Sequence, residues 1–421
     1  MKNRISPSQK TPPALHYGWV IVLVGTLTIF ACLGLARFAF GMLLPSMRDA
    51  LAMSYDEMGL LGTANFAGYL AAVTLIPFLL RRLTPRILIA TGLFMIAACM
   101  LGMAASSSYA AVLVLYTAVG IGSGLANIPL MVLVSYWFRQ EKRGRAAGCI
   151  VVGSGFAIMF AGFVVPQLNA AFGPDGWRAG WLLLGGIVLL VGVIAAFLIR
   201  NDPGEKGLEP AGEVSALPYH PAETRGRFST LRVLGPLGVL YFIFGATYVI
   251  YGTFIVTTMV EDYAFLEAGA GRFWAWVGFF SLFSGTLFGT LSDRVGRRVG
   301  LMTVFGVQTL AYLLAGSRWG ETALFGSVVL YGVAAFAIPA IMAAAVGDYL
   351  GKARAAAAFA MITICFAVGQ TLGPLAAGMI AEWTGSFTQG YLASAAGTAL
   401  AVLLCILLPN RERPRPATAR R

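Results

Sequence analysis

The run GWVIVLVGTLTIFACLGLARFAFGMLL, Gly18 to Leu44, holds 27 residues and a single charge, Arg37. A helix rises about 1.5 Å per residue, so the run exceeds the ~20 residues that cross a hydrocarbon core. Further runs of this kind follow it. The 421-residue chain is 58% hydrophobic and only 11% charged, where a soluble domain is about 25% charged. Lipid is therefore the expected solvent, and the 51 glycines suit helices that approach one another closely in it.

The net charge of +12 does not mark a nucleic-acid binder. The basic residues fall in short clusters between apolar runs, which is a membrane pattern. The five cysteines, Cys32, Cys99, Cys149, Cys365 and Cys405, all lie inside apolar runs. With only His16 and His220 beside them, no metal or disulfide pattern arises, and no cofactor is expected. The N-terminal MKNRISPSQKTPPALH is polar and does not read as a cleavable signal.

Breaking the chain at charged and turn-rich stretches predicts twelve spans: 18–44, 59–80, 87–105, 110–136, 147–171, 179–199, 234–259, 273–292, 299–316, 322–347, 355–380 and 389–408. With both termini cytoplasmic, 25 of the 30 Lys and Arg fall on the inside. The outside holds four, Arg48, Arg178, Arg272 and Arg318, and Arg37 is the remaining one. That asymmetry sets the orientation, with the bacterial inner membrane as the expected location. Residues 200–232 read as a polar cytoplasmic linker between an N-terminal half, 1–199, and a C-terminal half, 233–421.

The halves look like repeats. At a shift of about 211 residues, Arg82 and Arg86 meet Arg294 and Arg298, and the IPLM at 128–131 meets the IPAIM at 338–342. Gly34, Arg37 and Gly41 meet Gly245, Tyr248 and Gly252. Two parallel six-helix repeats about an axis along the membrane normal form an alternating-access architecture, with the substrate path between them near the midplane. The expected fold class is thus an all-α integral membrane protein of twelve transmembrane helices.

GTLSDRVGRRVGL, 289–301, lies where the eighth span meets the cytoplasm. It resembles the cytoplasmic signature of the major facilitator superfamily and carries it complete: Gly289, Leu291, Asp293, Arg294, Gly296, Arg297, Arg298 and Leu301. The resemblance implies the major facilitator fold and a gating role for Gly289, Asp293, Arg294, Gly296, Arg297 and Arg298. Asp293 can pair with neighbouring arginines in one state and release them in another; the alternative is a topology anchor only. The first-half counterpart, PFLLRRLTPRIL, puts Arg81 where Asp293 sits. HYGWVIV, YWFRQEKRGRAAG and GWRAGW resemble bacterial monocarboxylate-transporter-like members. GLARFAFGMLLPSMRDAL, GTANFAGYLAA and FAVGQTLGPLAAGMIAEWTGSF resemble the YbfB/YjiJ-type branch.

The polar residues inside spans are the candidate substrate site. An arginine at a span centre costs roughly 2.5–3.5 kcal/mol on insertion scales. Arg37 lies eight residues before Pro45, about 12 Å at helical rise, and shares a predicted stripe with Thr26, Phe30, Gly34 and Gly41. It is a candidate receptor for a substrate carboxylate; the alternatives are a structural brace and snorkelling to the outer headgroups. Asn65 enters the second span at a similar depth. Tyr241, Tyr248 and Tyr251 share a predicted face of the seventh span, with Tyr248 the repeat mate of Arg37. Asn127, Tyr251 and Gln370 are further candidates, each with helix packing as the alternative. Trp276, the repeat mate of Asn65, is a candidate for shaping the cavity. No Asp or Glu lies in the middle of a span.

These residues point to a monomeric carrier, not an enzyme, that moves a small organic anion, a monocarboxylate among the candidates. A proton travelling with the acid, anion exchange and no coupling are the three options. Efflux of drug-like compounds is the rival within the transporter class, though YTAVGIGSG (116–124) lacks the arginine that the superfamily's drug antiporters carry in that span. A transporter-shaped sensor is the rival outside it.

Overall fold

The computed structural model describes residues 16–212 and 230–408, and both termini, most of the linker and His220 lie outside that range. The described residues are helical nearly throughout. The elements are α1 (Gly18–Ile29), α2 (Phe40–Leu51), α3 (Tyr55–Leu79), α4 (Pro85–Ala105), α5 (Tyr109–Trp137), α6 (Gln140–Phe172) and α7 (Gly176–Leu198). After residue 230 come α8 (Thr230–Glu261), α9 (Glu267–Val295), α10 (Arg297–Gly316), α11 (Glu321–Ala334), α12 (Ala337–Leu350), α13 (Lys352–Thr384) and α14 (Thr388–Leu404). Among the described residues, eleven helical segments are long and apolar enough to cross a membrane. One of them, Glu141–Leu198, is 58 residues long and is interrupted by a 3₁₀ turn at Gly173–Asp175. Phe197, Val114, Leu190 and other large apolar side chains remain exposed, as suits a bundle whose solvent is hydrocarbon.

Two elements depart from the predicted spans. Between α1 and α2 the chain does not wind as α-helix: Phe30–Phe38 is a π-helix. The predicted span 322–347 is broken at Ala335 and Phe336. Pro339 has no amide to offer the Ala335 carbonyl, so the ladder fails there. The freed Phe336 amide donates to Ser284 Oγ on α9 at 3.0 Å.

Small residues set how closely the helices meet. A Cβ on Gly120 of α5 would stand 1.9 Å from the Asn65 carbonyl on α3, and one on Gly68 of α3 would stand 2.1 Å from the Thr117 carbonyl. The helices before residue 212 meet those after 230 through α3 against α13, α6 against α9 and α2 against α8.

The α6–α9 seam is built of glycines seven residues apart. A Cβ on Gly162 would come within 2.5 Å of the Gly271 carbonyl, and one on Gly278 within 2.7 Å of the Gly155 carbonyl. At the next pair along the antiparallel seam, Gly148 and Gly285, an added Cβ would meet nothing within 4 Å among the described residues. The seam is shut at one end and open at the other.

Polar groups reinforce the shut end. Arg48 pairs with Glu261 across the two groups of helices. The Tyr55 hydroxyl donates to Glu261 at 2.9 Å, the Tyr55 amide donates to Glu382 at 3.0 Å, and Asn169 Nδ2 donates to Glu267 at 2.7 Å.

Overpacking a buried contact costs about 1–3 kcal/mol. Gly278→Val is therefore expected to lower the melting temperature of the purified protein. Gly306→Val, with open space around it, is expected to leave it unchanged. A thermal melt of the two variants in one detergent checks this.

Candidate functional site

Arg37 sits at the end of the π-helical segment and is only 8% exposed. Its guanidinium lies against two aromatic faces, with Cζ 4.6 Å from the ring centroids of both Phe66 and Tyr69. These two residues are three apart on α3 and so share one helix face. Cation–π contacts of this kind, desolvated, contribute up to about 2 kcal/mol each. They supply attraction without satisfying hydrogen bonds. Arg37 Nε and Nη2 are buried and have no hydrogen-bond partner among the described residues. Those two nitrogens form one edge of the planar fork, which matches a carboxylate bidentately.

Two hydroxyls flank the guanidinium, each held by an amide. Tyr69 Oη accepts from Asn127 Nδ2 at 2.9 Å, which ties α3 to α5. Tyr248 Oη stands beside Arg37 and accepts from Gln370 Nε2 on α13. Its own carbonyl accepts from Tyr331 Oη at 2.8 Å, which fixes that part of α8. Arg37, Phe66, Tyr116, Tyr248 and Thr253 line a common cavity, with no Asp or Glu in its lining among the described residues. The free space there is about 10 Å³, room for one water-sized molecule.

Of the six candidate substrate residues, Arg37, Asn127, Tyr248 and Gln370 come together in this network, and the other two do not. Asn65 donates to the Tyr116 carbonyl at 3.2 Å and joins α3 to α5 away from the cavity lining. Tyr251 points into the interior of the later helices, stacks on Tyr331 at 3.9 Å and bonds Ser327 Oγ at 2.9 Å. Three residues after Tyr248, it has turned toward α11. Trp276 is 44% exposed and packs on Phe279 and Phe280, so it does not shape the cavity.

The predicted stripe on the first span also divides. Phe30 and Gly34 face α6, through Phe160 and Ala157, while Gly41 faces the Gly252 and Thr253 carbonyls of α8. The wider turn of the π-helix breaks the 3.6-residue periodicity on which that stripe was drawn.

Phe66, Tyr69 and Tyr116 were not among the sequence candidates. Tyr69 lies four residues after Asn65 in GTANFAGYLAA, so helical spacing from a polar residue was the available signal.

The signature loop forms a separate cluster. Arg297 pairs with Asp293 at 2.5 Å and with Asp348 at 2.7 Å, and donates to Ser292 Oγ at 2.7 Å. Gly296 turns the chain there at φ +96°, a conformation open to glycine. Gly289 has open space around it, and Arg294 also has an interaction partner. Arg298 is the second residue of α10. In the degenerate counterpart, Arg86 donates to the Ala196 carbonyl at 2.6 and 2.9 Å.

A buried cation with two unmade donors is costly (about 1–3 kcal/mol or more). Arg37→Met is expected to raise the melting temperature of the protein in anion-free buffer. Differential scanning fluorimetry of the two proteins measures it.

A family model described as "Uncharacterised MFS-type transporter YbfB" matches residues 29–406. A probable sulfoacetate transporter, SauU, of Cupriavidus necator is 23% identical over 370 residues, covering 84% of this chain and 85% of that one. Monocarboxylate transporter 2 of Rattus norvegicus is 22% identical over 444 residues, covering 99% and 89%. The crystal structure of a bacterial homolog of the human lysosomal transporter Spinster, inward-facing and occupied, aligns with TM-score 0.72 at 15% identity, covering 94% of this chain and 97% of that one.

Proposed function

The chain belongs to the YbfB-type family of major facilitator superfamily transporters, and from that premise we propose that it carries a small organic anion held at Arg37. The chain is a multi-pass membrane protein of a transporter family. The observation that carries the anion reading is the unpartnered Nε–Nη2 edge of Arg37 in a cavity without a carboxylate. A substrate carboxylate would supply the missing charge and accept both donors, and such charge-assisted bonds are the strong ones. Tyr248, held by Gln370, offers a hydroxyl beside the same anion. The sulfoacetate and monocarboxylate transporters among the relatives suggest sulfoacetate and lactate as the first probes.

We further propose twelve crossings, counting Glu141–Leu198 as two, arranged as two parallel six-helix repeats. Residues 1–199 and 233–421 would form the halves, joined by the linker 200–232. The expected setting is the bacterial inner membrane with both termini in the cytoplasm. In this reading the halves rock about Arg37, and the α6–α9 glycine seam is the surface they rock on. The Arg48–Glu261 and Asn169–Glu267 contacts hold the outer face shut. Closing the opposite face brings Gly148 to Gly285, the one glycine pair of the series now apart. The Asp293–Arg297–Asp348 cluster lies on that face and is the proposed inner gate, with Arg294, Arg298, Gly289 and Gly296 around it.

Proteoliposome flux of radiolabelled lactate or sulfoacetate tests the receptor role. A charge-assisted bond is worth about 1.5–3 kcal/mol, so Arg37→Ala is expected to lose ten- to hundredfold in uptake, and Arg37→Lys less. Full activity in Arg37→Ala would rule the receptor out. Repeating the flux with and without a pH gradient distinguishes proton coupling from anion exchange.

A cysteine pair at positions 148 and 285 tests the rocking. A disulfide needs its Cα atoms within about 7 Å. Oxidation is expected to cross-link the pair only in a transporting protein and to arrest flux. Failure to cross-link during turnover would count against closure along this seam.

A further inference from the structure

The glycine run VGIGSG, 119–124, and the π-helical turn in the first transmembrane segment meet at one hydrogen bond. Ser123 Oγ on α5, fully buried, lies 2.7 Å from the Cys32 carbonyl inside the π-helical segment. A serine within a helix ordinarily bonds its own backbone four residues back, and Ser123 also has the Val119 carbonyl at 2.9 Å. The hydroxyl carries one proton, so the two carbonyls share it, and the shorter contact is the one to Cys32 on another helix.

Its position matters because of the winding. In a π-helix each amide points to the carbonyl five residues back, as Ala39 does to Gly34 at 3.1 Å. The Cys32 carbonyl is then the target of Arg37's own amide. In an α-helix the same carbonyl would serve residue 36. A π-turn is rare, and an unusual backbone state persists only where its surroundings over-determine it. Ser123 holds the carbonyl that anchors Arg37. Gly120 and Gly124, on either side of Ser123, seat α5 against α3: their Cβ atoms would stand 1.9 Å from the Asn65 carbonyl and 2.5 Å from the Ala72 Cβ.

The same helix face reaches Arg37 a second way. Asn127 lies one turn after Ser123 and holds the Tyr69 hydroxyl, and the Tyr69 ring lies against the guanidinium. We propose that Ser123 is a positioning residue for Arg37: its hydroxyl keeps residues 30–38 in π winding, and that winding aims the guanidinium at the cavity. Without the hydroxyl the segment relaxes toward α, which turns Arg37 relative to Tyr248 by about 100° per residue of register. The consequence for transport rests on Arg37 being the anion receptor. The winding itself does not.

The test compares Ser123→Ala with Ser123→Thr, which keeps the hydroxyl, in two measurements on the full chain. The first is hydrogen exchange of the peptide covering residues 30–38. The second is KM and maximal rate for lactate flux in proteoliposomes. Ser123→Ala is expected to speed exchange in that peptide and to raise KM roughly five- to tenfold, the value of one net hydrogen bond. Maximal rate should stay close to that of the parent, and Ser123→Thr should restore both readouts. Unchanged exchange at 30–38 in Ser123→Ala overturns the proposal. So does a fall in maximal rate and melting temperature with KM unchanged, which marks a general packing role. If Arg37→Ala transports normally while exchange at 30–38 still responds to Ser123, the receptor reading fails and the control of winding stands.

Discussion

A guanidinium buried in an apolar bundle, with no carboxylate lining its cavity among the described residues, is the constraint on which the rest of this molecule turns. Arg37 is buried in an interior of low polarity, where an unpaired ion is expensive. The protein meets part of that cost with the faces of Phe66 and Tyr69 and with the hydroxyl of Tyr248. It leaves one edge of the fork unmade. The surrounding amides act on the hydroxyls and rings instead: Asn127 on Tyr69 and Gln370 on Tyr248. Five helical elements thus converge on one side chain, from α5 through α3 and the π-helical segment to α8 and α13. The unmet donor pair at that convergence is the observation on which the proposed anion cargo rests.

The second organising influence is the absence of side chains. In lipid, helices gain nothing from hiding apolar surface from one another, so packing distance and hydrogen bonds decide which helices associate. Glycines at seven-residue spacing let α6 and α9 touch backbone to backbone at Gly162–Gly271 and Gly155–Gly278, and the same seam parts at Gly148–Gly285. The polar latches of Arg48, Tyr55 and Asn169 all lie toward the closed end. A smooth seam with its polar latch at one end suits helices that tilt without unpacking, which fits the proposed alternating access.

The repeat pattern read from the chain also shows how similar sequences diverge in space. The IPLM of α5 stays within one continuous helix, whereas the IPAIM of the later half breaks the chain at Ala335 and Phe336. The difference comes from the partner: Ser284 accepts the Phe336 amide that the break releases. Proline creates the weakness in both places, and a neighbouring hydroxyl decides where it becomes a break.

Composition and charge were enough to determine the membrane setting, because the energetics of burial in lipid act on each run of residues independently. The signature at 289–301 was enough to indicate the superfamily, and Arg37, Asn127, Tyr248 and Gln370 stood out because polar groups inside spans are costly wherever they point. What each would touch was not legible. Asn65 and Tyr251 have the same local character as Asn127 and Tyr248, yet they pack away from the cavity, since a rotation of some 60–100° around a helix separates a lining residue from a packing one. Phe66, Tyr69 and Tyr116 carried no cost signal, because aromatic residues are at home in any span. The π winding of Phe30–Phe38 was invisible for a different reason: its bonds depend on a hydroxyl 91 residues away along the chain. Local energetics wrote the spans and the list of polar residues, and only the meeting of α3, α5, α8 and α13 around Arg37 decided which of them come together.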